Sequence, residues 1–334
     1  MTSPLNRSRL LSALAVVPLL ALAACSGSAA ADDDAAAPPA SAAAPAALKV
    51  NTTVNQDRVT TTKDDAAIAL LPDAVKKAGV LKVATTASGL PPLGFLADDD
   101  KTPIGNEPDV ANLVADALGL KLDLEVKAWA DWPLAVQSGD VDAVISNVTV
   151  TEERKELYDF SSYRNDQLGW LTAANSKLKE ITKPADIAGL KVAVGSGTNQ
   201  EKILLEWNKE NIAAGLKPID GGEPQYYDQY PDVLLALQSG RVDTYIGPNA
   251  TAAYSAGTAP DQYKVVGTLN GGWPATAQIA VGTLKGSGLA AAVTAALNHA
   301  IDDGSYAKVL ARWGLQAEAI DKSQTNPPGL PKTS

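Results

Sequence analysis

Arg154 lies in the stretch "SNVTVTEERKELYDFS", residues 146–161, three positions after Thr151. Thr151 is a good N-cap, and Glu152 and Glu153 suit the positive end of a helix. An arginine in that first turn opposes the backbone dipole unless an anion meets it. The spacing therefore predicts a charged helix opening at a guanidinium that awaits an anion, although an exposed helix arginine would read the same way. A second anion-suited element occurs in "LKVAVGSGTNQEKILLEW", residues 190–207: a strand, a glycine turn, then a helix whose Thr198 and Glu201 form a capping box. The free N–H groups at such a start can hold an anion. It is not a phosphate loop, since Gly-Lys-Ser/Thr is missing, and it lacks the third glycine of a dinucleotide fingerprint. Set on opposite sides of a site, Arg154 and this helix start would clamp one carboxylate from two directions.

Other chemistries find little support. The chain has 334 residues, one Cys and one His. No internal disulfide can form, and there is no Cys/His cluster for zinc, so no metal or cofactor is expected. His299 falls in the helical pattern "LAAAVTAALNHAIDDGSY" with no glycine-elbow serine in view, which leaves it a helix residue rather than a catalytic base. The aspartates of "ADDDKTPIG", residues 97–105, lack EF-hand spacing and read as a solvated hairpin. A net charge of −10 and no basic stripe argue against nucleic acid.

The first residues suggest a location. Arg7 and Arg9 precede the apolar run "LLSALAVVPLLA", residues 10–21, which is too short to span a membrane. "LAAC", Leu22 to Cys25, resembles a bacterial lipobox, in which the leader is cut before a cysteine that receives lipid. Residues 1–24 are then the signal peptide, Cys25 the lipidation site, and the Ala/Pro/Ser/Asp-rich residues 25–62 a flexible tether.

The rest of the chain alternates between strand and helix patterns. Residues 63–79 form a helical lead-in interrupted at Pro72 and closed by Gly79; "VLKVATT" is a strand; "EPDVANLVADALG" is an amphipathic helix closed by Gly119; "LKLDLEVKAW" is another strand. An internal echo follows. "AVQSGDVDAVISN" (135–147) and "ALQSGRVDTYIGPN" (236–249) both place a helix end and a Ser-Gly turn before a buried strand. Alternating strands and helices imply parallel sheets, and two copies imply two α/β lobes with a ligand cleft at their facing strand ends.

The elements "LKVATT", "PPLGF", "PIGNEPDVANLVADALG", "AVQSG", "VDAVISNVTVTEERKELYDFSSY", "LKVAVGSGTNQE", "GRVDTYIG" and "DDGSYAKVLARWG" occur in the order found in the family 3 extracellular solute-binding proteins, polar amino acid receptors of ABC importers, which the chain resembles over about residues 80–315. The resemblance implies a periplasmic-binding-protein-like α/β fold: lobe 1 from 80–171 plus 275–320, lobe 2 from 172–274, crossover strands in "LGWLTAANS" and "ATAQIAVGT", and a flexible tail over 321–334. It implies that Arg154 grips a ligand carboxylate, a task suited to the guanidinium fork. It also implies that Trp129 stacks on the ligand, with Trp132 a weaker candidate. Ser146, Asn147, Thr149, Thr198 and Asn199 would supply polar contacts, Gln200 less securely, and Glu107 would meet an amine or a cationic side chain.

Two departures bear on the ligand. The segment "SGLPPLG" carries no aromatic. Pro248 stands where relatives place an aspartate for the α-amino group, and proline has neither side-chain acceptor nor N–H. Asn249, Glu107 or a tyrosine of "YYDQY" would have to take over, or the ligand lacks a standard α-amino group. The expected protein is a monomeric, lipid-anchored, non-enzymatic receptor on the outer face of a bacterial membrane, delivering a small carboxylate-bearing solute to an ABC permease. The alternatives are a cyclohexadienyl-dehydratase-like enzyme on the same fold and a ligand-sensing partner of a membrane receptor.

Overall fold

The computed structural model describes residues 50–332. In chain order it contains α1 (Asp65–Ala69), α2 (Asp73–Ala78), β1 (Val80–Thr85), β2 (Phe95–Leu96), β3 (Pro103–Ile104), α3 (Asn106–Leu118), β4 (Lys121–Val126), α4 (Trp132–Ser138), β5 (Ala143–Thr149), β6 (Tyr158–Asn165), β7 (Gln167–Ala173), β8 (Val192–Val194), α5 (Asn199–Ala213), β9 (Gln225–Tyr226), α6 (Tyr230–Gln238), β10 (Thr244–Pro248), α7 (Asn249–Thr258), β11 (Tyr263–Asn270), β12 (Gln278–Leu284), α8 (Leu289–Asp302) and α9 (Ser305–Trp313).

These strands form two five-stranded sheets, ordered β4-β1-β5-β12-β6 and β11-β7-β10-β8-β9. Each has a parallel half, β4-β1-β5 in one and β9-β8-β10 in the other. Each is completed by antiparallel strands, β12 and β6 in the first and β7 and β11 in the second. The internal echo therefore has a structural meaning: β5 and β10 are equivalent central strands, each fed by the helix of its repeat. Apolar clusters cover both faces of each sheet. In the first, Val110, Val114, Val293 and Trp313 fill one side, and Trp132, Val136 and Phe160 the other. In the second, Leu204 and Trp207 pack on one side, and Val233, Leu237 and Ala252 on the other. Burial on both faces is why the central strands read as continuous apolar runs.

The chain passes between the sheets twice, at Asp166 between β6 and β7 and over residues 271–277 between β11 and β12. The expected lobe boundary after residue 171 thus shifts: β7 lies wholly in the second sheet, because it pairs with β10 and β11 along its length. Residues 97–105 do form the expected hairpin, with β2 and β3 antiparallel.

Three local expectations are corrected. The charged helix after Thr151 is only a 3₁₀ turn, Arg154–Glu156, because Tyr158 and Phe160 begin a buried strand that pairs with β12. Residues 50–62, expected within a flexible tether, lie against the first lobe: Arg58 binds Asp109 at 3.1 Å, Asp109 also accepts from the Trp313 indole at 2.8 Å, and Val50 and Val59 pack on the core. Residues 321–332, expected to be a flexible tail, run along β6 and back to Thr151, with Ser323 and Leu330 buried.

Candidate functional site

A cleft of about 1100 Å³ opens between the sheets. Its walls are the loops after β1 and β5 and the Trp129 segment on one side, and the starts of α5 and α6 with Tyr245 and Pro248 on the other. Both halves of the internal echo thus end at the cleft, through Ser146–Thr149 and Pro248. Ligands in open α/β sheets occupy this position, outside the carboxyl ends of parallel strands.

Arg154 is held from three directions. Its backbone N–H donates to the Thr151 hydroxyl at 3.1 Å, which is the capping expected there. Nη1 donates to the Thr149 carbonyl at 2.8 Å. The guanidinium carbon stands 5.7 Å from the Trp129 ring centre and 6.0 Å from that of Trp132. Trp129 and Trp132 meet edge to face at 6.1 Å, and Trp132 leans on Tyr158 at 5.0 Å. The two tryptophans therefore hold the arginine, and Trp132, fully buried, is the base of this stack. Burial lowers the proton affinity of Arg154, opposed by Asp166, Glu153 and Tyr158, but an arginine remains a cation at neutral pH. Partly desolvated, with donors left over, it suits an anion.

The other wall is the start of α5. Thr198 has extended backbone and accepts from the Glu201 N–H at 3.2 Å, as the capping box predicts. The return bond of the box is displaced by one residue: Glu201 reaches the Gly197 N–H at 2.6 Å instead of that of Thr198. The next N–H groups, of Asn199 and Gln200, have no acceptor within the helix. The Asn199 side chain faces away from this role: it donates to the Gly271 carbonyl in the second passage between sheets.

Several expected contacts already have partners. The Ser146 hydroxyl pairs with that of Thr86 and accepts from its N–H at 3.0 Å. Thr149 donates its hydroxyl to Asp166 at 2.7 Å. Asn147 adopts φ 55°, a left-handed conformation uncommon for a side-chain-bearing residue, and accepts from Arg164. Glu107 lines the cleft but is almost fully buried, accepting from the Tyr163 hydroxyl and from Arg164 Nη2 at 3.1 Å. Gln200, Tyr227 and Tyr230 reach the cleft wall, whereas Tyr226 lies outside it. The Tyr230 hydroxyl bonds to Ser255 at 2.7 Å. Asn249 is not in the cleft: it opens α7, and its Oδ1 sits 3.1 Å from where a Cβ on Gly169 would be, so it faces β7. His299 is in α8 beside Thr62, away from the site, and Cys25 lies outside the described residues.

Beneath the cleft runs a charged network that sequence reading missed. Arg164 is buried between Glu318 and Glu107. Burial disfavours its charge, but Glu318 and Glu107 more than restore it. Its partners lie 57 and 154 residues away in sequence, so no local spacing announces them. Asp228 was missed too. It lines the cleft, and of the three carboxylate residues there, Glu107 is held by Arg164 and Glu153 by Lys202 across the cleft, leaving Asp228 without a hydrogen-bond partner among the described residues. In "YYDQY" it stands among three tyrosines, with no spacing that singles out the carboxylate. No group of His, Cys, Asp and Glu able to hold a metal occurs among the described residues.

Comparison with known proteins agrees with this geometry. The sequence profile of the bacterial extracellular solute-binding proteins, family 3, matches residues 81–316. The chain is 27% identical over 261 residues to the arginine-binding protein ArgT of Corynebacterium glutamicum, covering 77% of this chain and 82% of that protein. An ancestral arginine-binding protein solved with bound arginine aligns at TM-score 0.60 and 30% identity, over 70% of this chain and 98% of its own. An ancestral amino acid-binding protein, a precursor of cyclohexadienyl dehydratase, aligns at TM-score 0.61 and 26% identity, over 73% and 99%. With its two lobes, its cleft and a profile match across most of the chain, the protein belongs to the bacterial extracellular solute-binding proteins of family 3.

Proposed function

We propose that this protein is the lipid-anchored receptor of an ABC importer, binding a small zwitterion that carries a carboxylate, most simply an amino acid or a derivative. Cys25 carries the lipid outside the cell membrane, and the permease receives the closed, loaded form. The observation that bears the most weight is Arg154: a cation backed by two indoles, bonded to Thr149, and opposed across one cleft by the N-terminus of α5. Arg154 and the α5 N–H groups take the carboxylate. Asp228 takes the ammonium group in place of the aspartate that Pro248 replaces. Contacts available only when both walls meet the ligand draw the lobes together, a shift in population toward the closed state.

The enzyme alternative gains little here. A dehydratase needs a placed general acid. Glu107, a buried carboxylate at the cleft wall, already accepts from Arg164 and Tyr163.

Thermal stabilisation against a panel of amino acids, amines and simple carboxylates tests the proposal. A ligand at a hundred times its dissociation constant adds about 2.7 kcal/mol of stability. The expected result is stabilisation by one class of amino acid, lost in Arg154→Ala and reduced in Asp228→Asn. Stabilisation by a carboxylate without an amine, unchanged in Asp228→Asn, would remove the ammonium site. A ligand that stabilises Arg154→Ala as well as the parent would remove the carboxylate site.

A further inference from the structure

The segment 323–332 lies beyond the part of the chain that matches the family, which ends at residue 316. It follows a continuous course over the back of the binding site. Ser323 exchanges hydrogen bonds with Asn298 at 2.8 and 3.1 Å. Gln324 does so with Ser162, and Asn326 with Phe160. The Pro327 carbonyl accepts from Lys155 at 3.2 Å, and the Gly329 N–H donates to Glu152 at 2.8 Å. Leu330 then pairs with the chain just before Arg154: its N–H donates to the Val150 carbonyl at 3.0 Å, and its carbonyl accepts from Glu152 at 2.8 Å. Lys332 ends the path on Glu156.

These contacts bracket Arg154. Val150, Thr151 and Glu152 are three of the four residues between the Thr149 carbonyl that receives Nη1 and the turn that carries the arginine. All three are tied to Gly329 or Leu330, and Lys155 and Glu156, immediately after Arg154, are tied to Pro327 and Lys332. The approach is close. A Cβ on Gly329 would come 2.8 Å from the carbonyl carbon of Thr151. The same Leu330 side chain packs on Gly272, in the second passage between the sheets, where an added Cβ would lie 2.1 Å from it. A single residue thus touches both, the arginine-bearing segment through its backbone and the connection over 271–277 through its side chain.

We infer that residues 323–332 form a strap that positions Arg154 for its ligand and couples that position to the connection at Gly272. The turn at 154 is a single 3₁₀ turn followed at once by a strand, too short to hold its own orientation. The strap supplies the missing support from behind, and Leu330 is its key positioning residue. This inference rests on the proposed role of Arg154 in gripping the carboxylate.

The test uses the full chain, the variants Leu330→Ala and Gly329→Ala, a truncation after Lys322, and Arg154→Ala as reference. Two quantities are measured. The first needs no ligand: the indole N–H resonance of Trp129, assigned with Trp129→Phe, reports the guanidinium that stands over its ring. The strap variants should move this resonance toward its position in Arg154→Ala and leave those of Trp170 and Trp207, in the second sheet, unmoved. The second is affinity for L-arginine by calorimetry, where a misplaced anchor should weaken binding about tenfold with the fold intact by circular dichroism. A Trp129 resonance unchanged in Leu330→Ala and Gly329→Ala overturns the strap, even if melting temperature falls, since purely structural support would lower stability alone. If the truncation does not fold, the two point variants decide. Should L-arginine bind Arg154→Ala as tightly as the parent, the carboxylate reading fails, while the resonance still decides whether the strap holds Arg154 in place.

Discussion

A cation backed by aromatic rings and cut off from part of its water gains more from a carboxylate than an exposed one does, because less hydration is lost when the pair forms. Arg154 has that setting, and its bond to Thr149 fixes the fork in advance, so little rotamer entropy is lost on binding. Asp166 is its counterpart at the passage between the lobes. Burial raises the Asp166 carboxyl above the ordinary aspartate range, against the Thr149 hydroxyl and the charges of Arg164 and Arg154. A raised folded value means the folded chain holds this proton more tightly than the unfolded chain. The stability the group contributes is then full below its unfolded value of about 4 and declines as pH rises toward the folded value. Asp166→Asn lacks that decline. Its melting temperature relative to the parent should therefore rise as the pH climbs above about 4, and a constant difference would mean Asp166 titrates as it does in the unfolded chain.

The elements that present these residues depend on a few backbone constraints. Gly105 precedes α3, at φ 131°, and a Cβ there would lie 2.2 Å from the Leu93 carbonyl oxygen. Only glycine fits, and its geometry sets the helix start that buries Glu107 under the cleft. Gly105→Ala should destabilise the chain by about 2–3 kcal/mol, read from urea unfolding. A loss under about 0.5 kcal/mol would show that the loop relaxes freely. The buried Arg164 pair belongs to this scale as well, since it ties β6 to α3 and to the 3₁₀ turn at Gln316–Glu318. Glu318→Gln removes one partner of a buried charge and should cost about 3–5 kcal/mol, measured the same way. A neutral result would mean that Glu107 alone suffices to hold Arg164.

At the scale of the whole molecule, direct contacts join the two walls of the cleft. Lys202 of α5 pairs with Glu153, next to Arg154, and the Tyr230 N–H donates to the Ser88 carbonyl at 3.2 Å. These join the walls on either side of the site, so they favour the closed arrangement that the ligand also favours. The Lys202 pair is exposed at both ends, and such pairs contribute about 0–1 kcal/mol. Lys202→Met should thus weaken ligand binding by about fivefold or less, with the difference fading at high salt. A loss as large as that of Arg154→Ala would make Lys202 a direct ligand contact.

The alternation of strands and helices, the repeat that equates β5 with β10, the capping box at Thr198, and the odd placement of Arg154 were all legible in the sequence. Each is a local pattern, set by backbone periodicity or by the chemistry of a single turn. What tertiary structure alone decided depends on residues far apart. It turned the expected charged helix into a 3₁₀ turn, because Tyr158 and Phe160 are worth more buried beside β12 than exposed on a helix. It set Asn249 against β7 instead of in the cleft, left Asp228 without a hydrogen-bond partner among the described residues, and buried Arg164 between carboxylates from two distant segments. It also laid the Pro-rich residues 321–332, expected to be a flexible tail, in order along β6 and Thr151. Such a segment carries no periodicity of its own, and its order comes from hydrogen-bonding groups on β6 and Thr151 that only the folded lobe presents.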